Sequence, residues 1–271
     1  MKIIDCFMYF DEDLILEIRL NTLNEIVDKF IICEATRDHA GNKKELKFKL
    51  EKFLEFKNKI EYIVVDDIPV HVKPVKKNWH ENHARDQFQR NALERGIKNY
   101  SPNDLIMISD IDEIPDPEKI QEFNIKNKYA CFLQKNFQSK INLLNTTDKF
   151  WPGTRICQKK YLKSPQWLRN LKTKKQPLWK FFNDKQPQLI ENGGWHFSFL
   201  KNSESIKKKI NSYSHQEYNI DEFTNIKKIE EKIANREDLF GRDIKYKVIN
   251  IDNTFPKYIF NNQIKFKDWI I

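Results

Sequence analysis

Up to Asp110 the chain alternates short apolar runs with longer stretches of helical periodicity, and this alternation restricts the possible architectures more than any other feature. Ile3 to Tyr9, Lys29 to Cys33, Ile60 to Val65 and Asp104 to Ser109 read as strands. Between them, Asp13 to Ile26, Leu46 to Phe56 and Glu81 to Gly96 read as helices. Strands joined by helical crossovers run parallel, and near-continuous apolar runs require cover on both faces. The pattern predicts an α/β fold with a mostly parallel central sheet and helices on both faces. Beyond Pro115 the character changes. Tyr129 to Gln138 and Lys140 to Leu144 read as strands, Phe150 to Trp195 lacks helical periodicity, and helices return near Ser203 to Tyr213 and Asp221 to Ala234. With no repeat or low-complexity linker, the expectation is a single domain over residues 1–271 with an irregular C-terminal half.

Composition narrows the class further. Hydrophobic residues make up 39%, and 20 Phe, 9 Tyr and 6 Trp are far more than a disordered chain carries. No run approaches the roughly 20 apolar residues of a membrane span. The start, Met1 to Asp11, is too short and too interrupted for a secretory signal, so a cytoplasmic protein is expected. Cys6, Cys33, Cys131 and Cys157 lie far apart in apolar surroundings, which predicts free buried thiols. The net charge of +9 is concentrated late: eight Lys and one Arg between Lys159 and Lys185, then Lys207-Lys208-Lys209. Such a field suits phosphates, an acidic glycan or an anionic membrane surface. No nucleic-acid-binding motif accompanies it.

The fourth strand ends in Asp110-Ile111-Asp112-Glu113-Ile114-Pro115. Alternation along an extended chain points Asp110 and Asp112 the same way. Two converging carboxylates repel unless a cation lies between them, and a hard divalent ion such as Mn2+ or Mg2+ suits that oxygen-rich site. In open sheets ligands bind beyond the carboxyl ends of the strands, where this triplet lies. Glu34, ending the second strand at the same rim, is placed to accept hydrogen bonds from a base or ribose.

Five blocks in order resemble glycosyltransferase family 17: Leu16 to Leu20 running on through Val27 to Glu34, Gly41 to Phe48, Ser109 to Pro115, Gly194-Trp195-His196-Phe197-Ser198, and Pro256-Lys257-Tyr258. The resemblance implies a GT-A-like nucleotide-sugar-binding fold, with residues 1–115 as the donor half and 116–271 as the acceptor half. It further implies an Asp-x-Asp metal site and inverting transfer from a UDP-sugar, most simply UDP-N-acetylglucosamine, to a glycan or glycolipid. Asp38, where relatives often carry Thr, and the Lys-rich stretch depart from the pattern and leave the acceptor open. Bacterial surface-polysaccharide or lipopolysaccharide assembly at the inner face of the membrane is the expected setting.

Under that resemblance Asp110 and Asp112 hold the ion, and His196, flanked by Gly193 and Gly194, adds a ligand. Asp86 and Arg90, four apart on one helix, can form an ion pair, while Arg85 and Arg90 also suit a diphosphate. Lys44 is a further phosphate candidate. Glu113 is the first choice for the base that takes the acceptor's proton, with Glu191 and Asp116 as alternatives. Trp151 and Trp195 offer flat faces for a pyranose. Two rival functions remain: a phosphohydrolase with Asp110 as nucleophile and Asp112 as acid, and a non-catalytic basic module binding glycans or phosphates.

Overall fold

The structure, a computed structural model, describes residues 1–71, 80–173 and 186–271. Strands β1 (Ile3–Met8), β2 (Lys29–Ala35), β3 (Ile60–Val65) and β4 (Leu105–Asp110) pair in parallel in the order β4-β1-β2-β3. Helix α1 (Asp13–Leu23) connects β1 to β2, and α2 (Glu81–Ala92) with α3 (Glu94–Ile97) leads into β4. After β4 come β5 (Glu113–Pro115), α4 (Pro117–Ile120), β6 (Tyr129–Gln138), β7 (Leu143–Asn145), β8 (Phe150–Gln158) and α5 (Pro165–Arg169). The chain continues through β9 (Gln188–Ile190), β10 (Gly194–Ser198), α6 (Ser203–Ser212), α7 (Asp221–Thr224), α8 (Ile226–Asn235), β11 (Tyr246–Val248) and α9 (Lys257–Asn261).

Alternate side chains of the parallel strands feed two cores. Phe7, Phe30, Ile32 and Met107 meet Leu16, Leu20 and Leu23 of α1 on one face. Cys6, Ile31, Cys33, Ile106 and Ile108 meet Ala92, Leu93 and Ile97 on the other. Each fully buried Leu, Ile or Phe contributes about 1.5–3 kcal/mol, so this two-sided burial holds the strand ends in fixed positions. Helices therefore cover both faces, as expected. All four cysteines are free and buried, and burial pushes the Cys33 and Cys157 thiols up to about 12.

The sheet is mixed. Parallel pairing holds from β3 to β4, but β8 lies antiparallel between β4 and β6, and β7 and β11 extend the sheet antiparallel beyond β6. Residues Phe150 to Trp195, expected to be irregular, thus supply a central strand. Pro152-Gly153 hides its alternation, and the absence of a Cβ at Gly153 leaves room for the Gln134 side-chain amide, whose Oε1 would lie 1.6 Å from one. The helix expected over Leu46 to Phe56 is only a 3-10 turn, Leu50–Phe56. Glu34 accepts the backbone N–H groups of Lys47 and Phe48 and keeps the preceding stretch non-helical. Of the basic stretch ending at Lys185, residues 174–185 lie outside the described residues. No described helix is long and apolar enough to cross a membrane.

Candidate active site

Beyond the carboxyl ends of β1, β2 and β4 lies a cleft of about 280 Å3, lined among others by Phe10, Glu12, Arg37, His39, Asp86, Arg90, Asp110, Asp112 and Lys209. Its acidic wall is the turn between β4 and β5, and a buried arginine shapes that turn. Arg19, on the core stripe of α1, is fully buried and pairs with Asp5 in the middle of β1 at 2.6 and 2.7 Å. The rest of its guanidinium donates to the Ser109 hydroxyl at 2.9 Å and to the carbonyls of Asp110, Ile111 and Glu113 at 3.3, 3.2 and 2.7 Å. Thr154 Oγ1 donates to the Glu113 carbonyl at 3.0 Å. Five donors in a planar fork can hold such a set of acceptors; an ammonium cannot.

Asp110 and Asp112, expected to share one divalent ion, are instead each met by side-chain cations, and both oxygens of Asp110 are engaged by arginines. Asp110 accepts from Arg90 at 3.0 Å through Oδ1 and from Arg169 at 3.0 Å through Oδ2. Burial would raise its pKa, but the two guanidinium groups hold it well below the usual carboxylate range. Arg90 is clamped in turn by Asp86 and Gln166. Arg169 is clamped by the Gly153 carbonyl and Glu113. Asp112 accepts from Lys209 at 3.2 Å through Oδ2.

The other oxygen of Asp112 faces His196. β10 pairs with both β5 and β6, which sets His196 opposite Glu113 and Asn136. Asn136 Nδ2 donates to the Asp148 carbonyl at 3.1 Å, so its Oδ1 faces the histidine and takes the Nδ1 proton at 3.0 Å. That leaves a lone pair on Nε2, 3.8 Å from Asp112 Oδ1. Burial depresses the imidazole pKa, against the pull of Asp112 and Glu113, and favours the neutral ring. Two lone-pair atoms facing each other suit a cation between them, and a ligating histidine ordinarily donates its other N–H to an acceptor such as Asn136. Among the described residues no group of three or more His, Cys, Asp and Glu side chains is arranged for a metal. One carboxylate and one imidazole, however, are an adequate protein share for an ion completed by phosphate and water.

The remaining expected residues are placed as follows. Glu113 is fully buried, and its carboxylate accepts from the Asp110 backbone N–H at 3.0 Å, from Trp151 Nε1 at 2.6 Å and from Arg169. Trp151 is 38% exposed and stacks on His196, with ring centres 4.7 Å apart. Trp195 is core, its indole N–H bound to the Thr254 carbonyl. Glu34 is fully buried and bound by Lys44, Tyr62 and two backbone N–H groups, so Glu34 and Lys44 hold each other behind the cleft wall. Arg85 donates to the carbonyls of His39 and Val70 and to Glu81, which fixes the loop after β2. Asp116 caps α4, and burial raises its carboxyl pKa. Glu191 is exposed in the turn before β10. Gly194 serves close packing on β5 rather than on a ligand: at φ +129 a Cβ would lie 2.2 Å from the Ile114 carbonyl oxygen.

Four residues not anticipated from sequence belong to this site: Arg19, Arg169, Lys209 and His39. The last projects into the cleft, its Nε2 bound to Gln89 Oε1 at 3.0 Å. Glu12 joins them at the rim; burial would raise its pKa, but Lys201, Lys209 and two backbone N–H groups draw it down to about 2.

The sequence pattern of glycosyltransferase family 17 matches residues 1–267. Over 106 residues the chain is 27% identical to the β-1,4-mannosyl-glycoprotein 4-β-N-acetylglucosaminyltransferase of Homo sapiens, a match covering 37% of this chain and 19% of that protein. The Rattus norvegicus and Mus musculus proteins of that name are 27% and 26% identical over the same length and shares. The match thus spans about a fifth of the length of these curated relatives. Among solved structures, the inositol-1-phosphate CTP transferase from T. maritima is similar at a TM-score of 0.38 and 10% identity, covering 100% of this chain and 98% of that one. A likeness that low carries no argument.

Proposed function

The chain belongs to glycosyltransferase family 17, and from that premise we propose that it moves N-acetylglucosamine from UDP-N-acetylglucosamine to a hydroxyl of a glycan or glycolipid, with inversion, in a GT-A-like fold. The observation that carries the metal part of this reading is the facing pair Asp112 Oδ1 and His196 Nε2 at the cleft wall. These two side chains would hold a divalent ion, which when bound supplies Lewis-acid stabilisation of charge on the departing diphosphate. Asp110 keeps Arg90 and Arg169 in place beside it, so that positive charge is fixed before the donor arrives. Trp151, partly exposed and stacked on His196, would offer a flat face to the sugar. For the acceptor's proton, Glu113 is the first choice by position, but its carboxylate is tied to three donors within the protein, which leaves Asp116 and Glu191 as the alternatives to test. We assign residues 1–115 mainly to the donor and 116–271 mainly to the acceptor within one domain, with Arg169, His196 and Lys209 reaching from the second part to the donor side, acting at the inner face of a membrane in surface-polysaccharide or lipopolysaccharide assembly.

The phosphohydrolase alternative is disfavoured by Asp110, whose two oxygens are both engaged by arginine and make a poor nucleophile. Incubation with UDP-N-acetylglucosamine, UDP-glucose and UDP-galactose in Mn2+ tests the proposal. UDP release should be fastest with the first, and EDTA should reduce it at least about a hundredfold, as loss of several kcal/mol of charge stabilisation implies. Phosphate release from simple esters with no turnover of any UDP-sugar would refute the assignment.

A further inference from the structure

We propose that Lys209 is an exchangeable counter-ion: it holds Asp112 while the cleft contains no nucleotide and transfers to the donor's phosphate oxygens once Asp112 is engaged by the divalent ion. The inference rests on the metal reading above and adds a residue to it. The three cations of the acidic wall are bound very differently. Arg90 is held by Asp86, Gln166 and Asp110, and Arg169 by Gly153, Asp110 and Glu113, so neither fork can leave without stranding several buried acceptors. The Lys209 ammonium has three donors, and among the described residues its one hydrogen bond is to Asp112 Oδ2, with the Phe199 ring 5.2 Å away as its other contact.

The ammonium sits at the end of a flexible four-carbon arm while its helix is fixed. Asn202 caps α6, Ile206 and Ile210 are fully buried, and the Ser212 and Ser214 carbonyls accept from His39 and Asn82 across the cleft. Only the arm has to move. A divalent ion at Asp112 Oδ1 repels an ammonium at Oδ2 of the same carboxylate. A diphosphate reverses that balance by offering new oxygens in the same cleft.

The test has two readouts of opposite sign, both independent of turnover. In Lys209→Met, Mn2+ alone should bind about tenfold tighter than in wild type, because its competitor for Asp112 is gone. With Mn2+ saturating, UDP should bind about tenfold more weakly, as loss of one charge-assisted hydrogen bond implies. Lys207→Met, the same charge change at an exposed position of α6, should alter neither by more than about twofold, since exposed charges are screened. Lys209→Gln is the second variant should the methionine fail to give a wild-type unfolding transition. Equal Mn2+ affinity in wild type and Lys209→Met, or weaker binding of both Mn2+ and UDP in the variant, overturns the exchange and leaves the metal site standing. Failure of both proteins to bind Mn2+ removes the metal reading and the exchange with it.

Discussion

Asp112→Asn is expected to lower UDP-sugar turnover about a thousandfold, some 4 kcal/mol of barrier, while changing folding stability by no more than about 1 kcal/mol. The asymmetry comes from what each atom touches. The backbone carbonyl of Asp112 accepts from Phe197 at 2.9 Å and keeps β10 against the turn, and the substitution leaves that bond intact. The carboxylate meets one lysine at 3.2 Å and faces an imidazole lone pair at 3.8 Å. An amide of the same shape still fills the space. It does not supply the anionic oxygen that a hard divalent ion needs beside His196. Turnover at saturating Mn2+ and the urea midpoint on the same preparations decide the matter. Wild-type turnover in Asp112→Asn would remove the metal from the mechanism, and a collapse of stability would make the residue structural instead.

Patterning alone exposed the frame that carries this carboxylate. The strands from Ile3, Lys29 and Leu105 bury both faces, and such strands announce themselves as apolar runs whose ends can be located from sequence; β3, at the sheet edge, is only half-buried. Family blocks then drew His196 and the Asp110 turn into one site. Partners across the fold were harder to see. Arg169 reaches Asp110 over 59 positions and Lys209 reaches Asp112 over 97, and nothing local to either residue marks such a pairing. By composition the basic run is a field for anionic partners, yet its members Lys208 and Lys209 pair with Asp11 and Asp112. Two signals were present in the sequence. Ser164-Pro165 is a helix start, and Ser164 does cap α5, the helix that carries Arg169. Arg19 also interrupts an apolar stripe of Ile15, Leu16, Leu20 and Leu23, just as Asp5 interrupts an apolar strand. Two opposite charges, each misplaced in its own pattern, call for one another.

That pair supports the second large effect. Arg19→Met should destabilise the fold by about 3–5 kcal/mol, the usual cost of stranding one member of a buried ion pair, here Asp5. Arg19→Lys should recover little of it, because a single ammonium cannot reach both Asp5 oxygens, the Ser109 hydroxyl and three carbonyls together. Replacing both partners, Asp5→Leu with Arg19→Met, removes the stranded charge, and stability should recover a large part of the loss, the remainder being the cost of the carbonyls left without their donor. Activity should not return with it. The carbonyls of Asp110, Ile111 and Glu113 lose their common donor in the double variant, and the turn that aims Asp110 and Asp112 is then free to relax. An error of about 1 Å at such a site is enough to lose two orders of magnitude in rate. Urea unfolding and turnover measured on the three variants therefore separate two roles of one side chain. Recovery of both quantities in the double variant would confine Arg19 to balancing a buried charge, whereas recovery of stability alone identifies it as the residue that shapes the acidic wall.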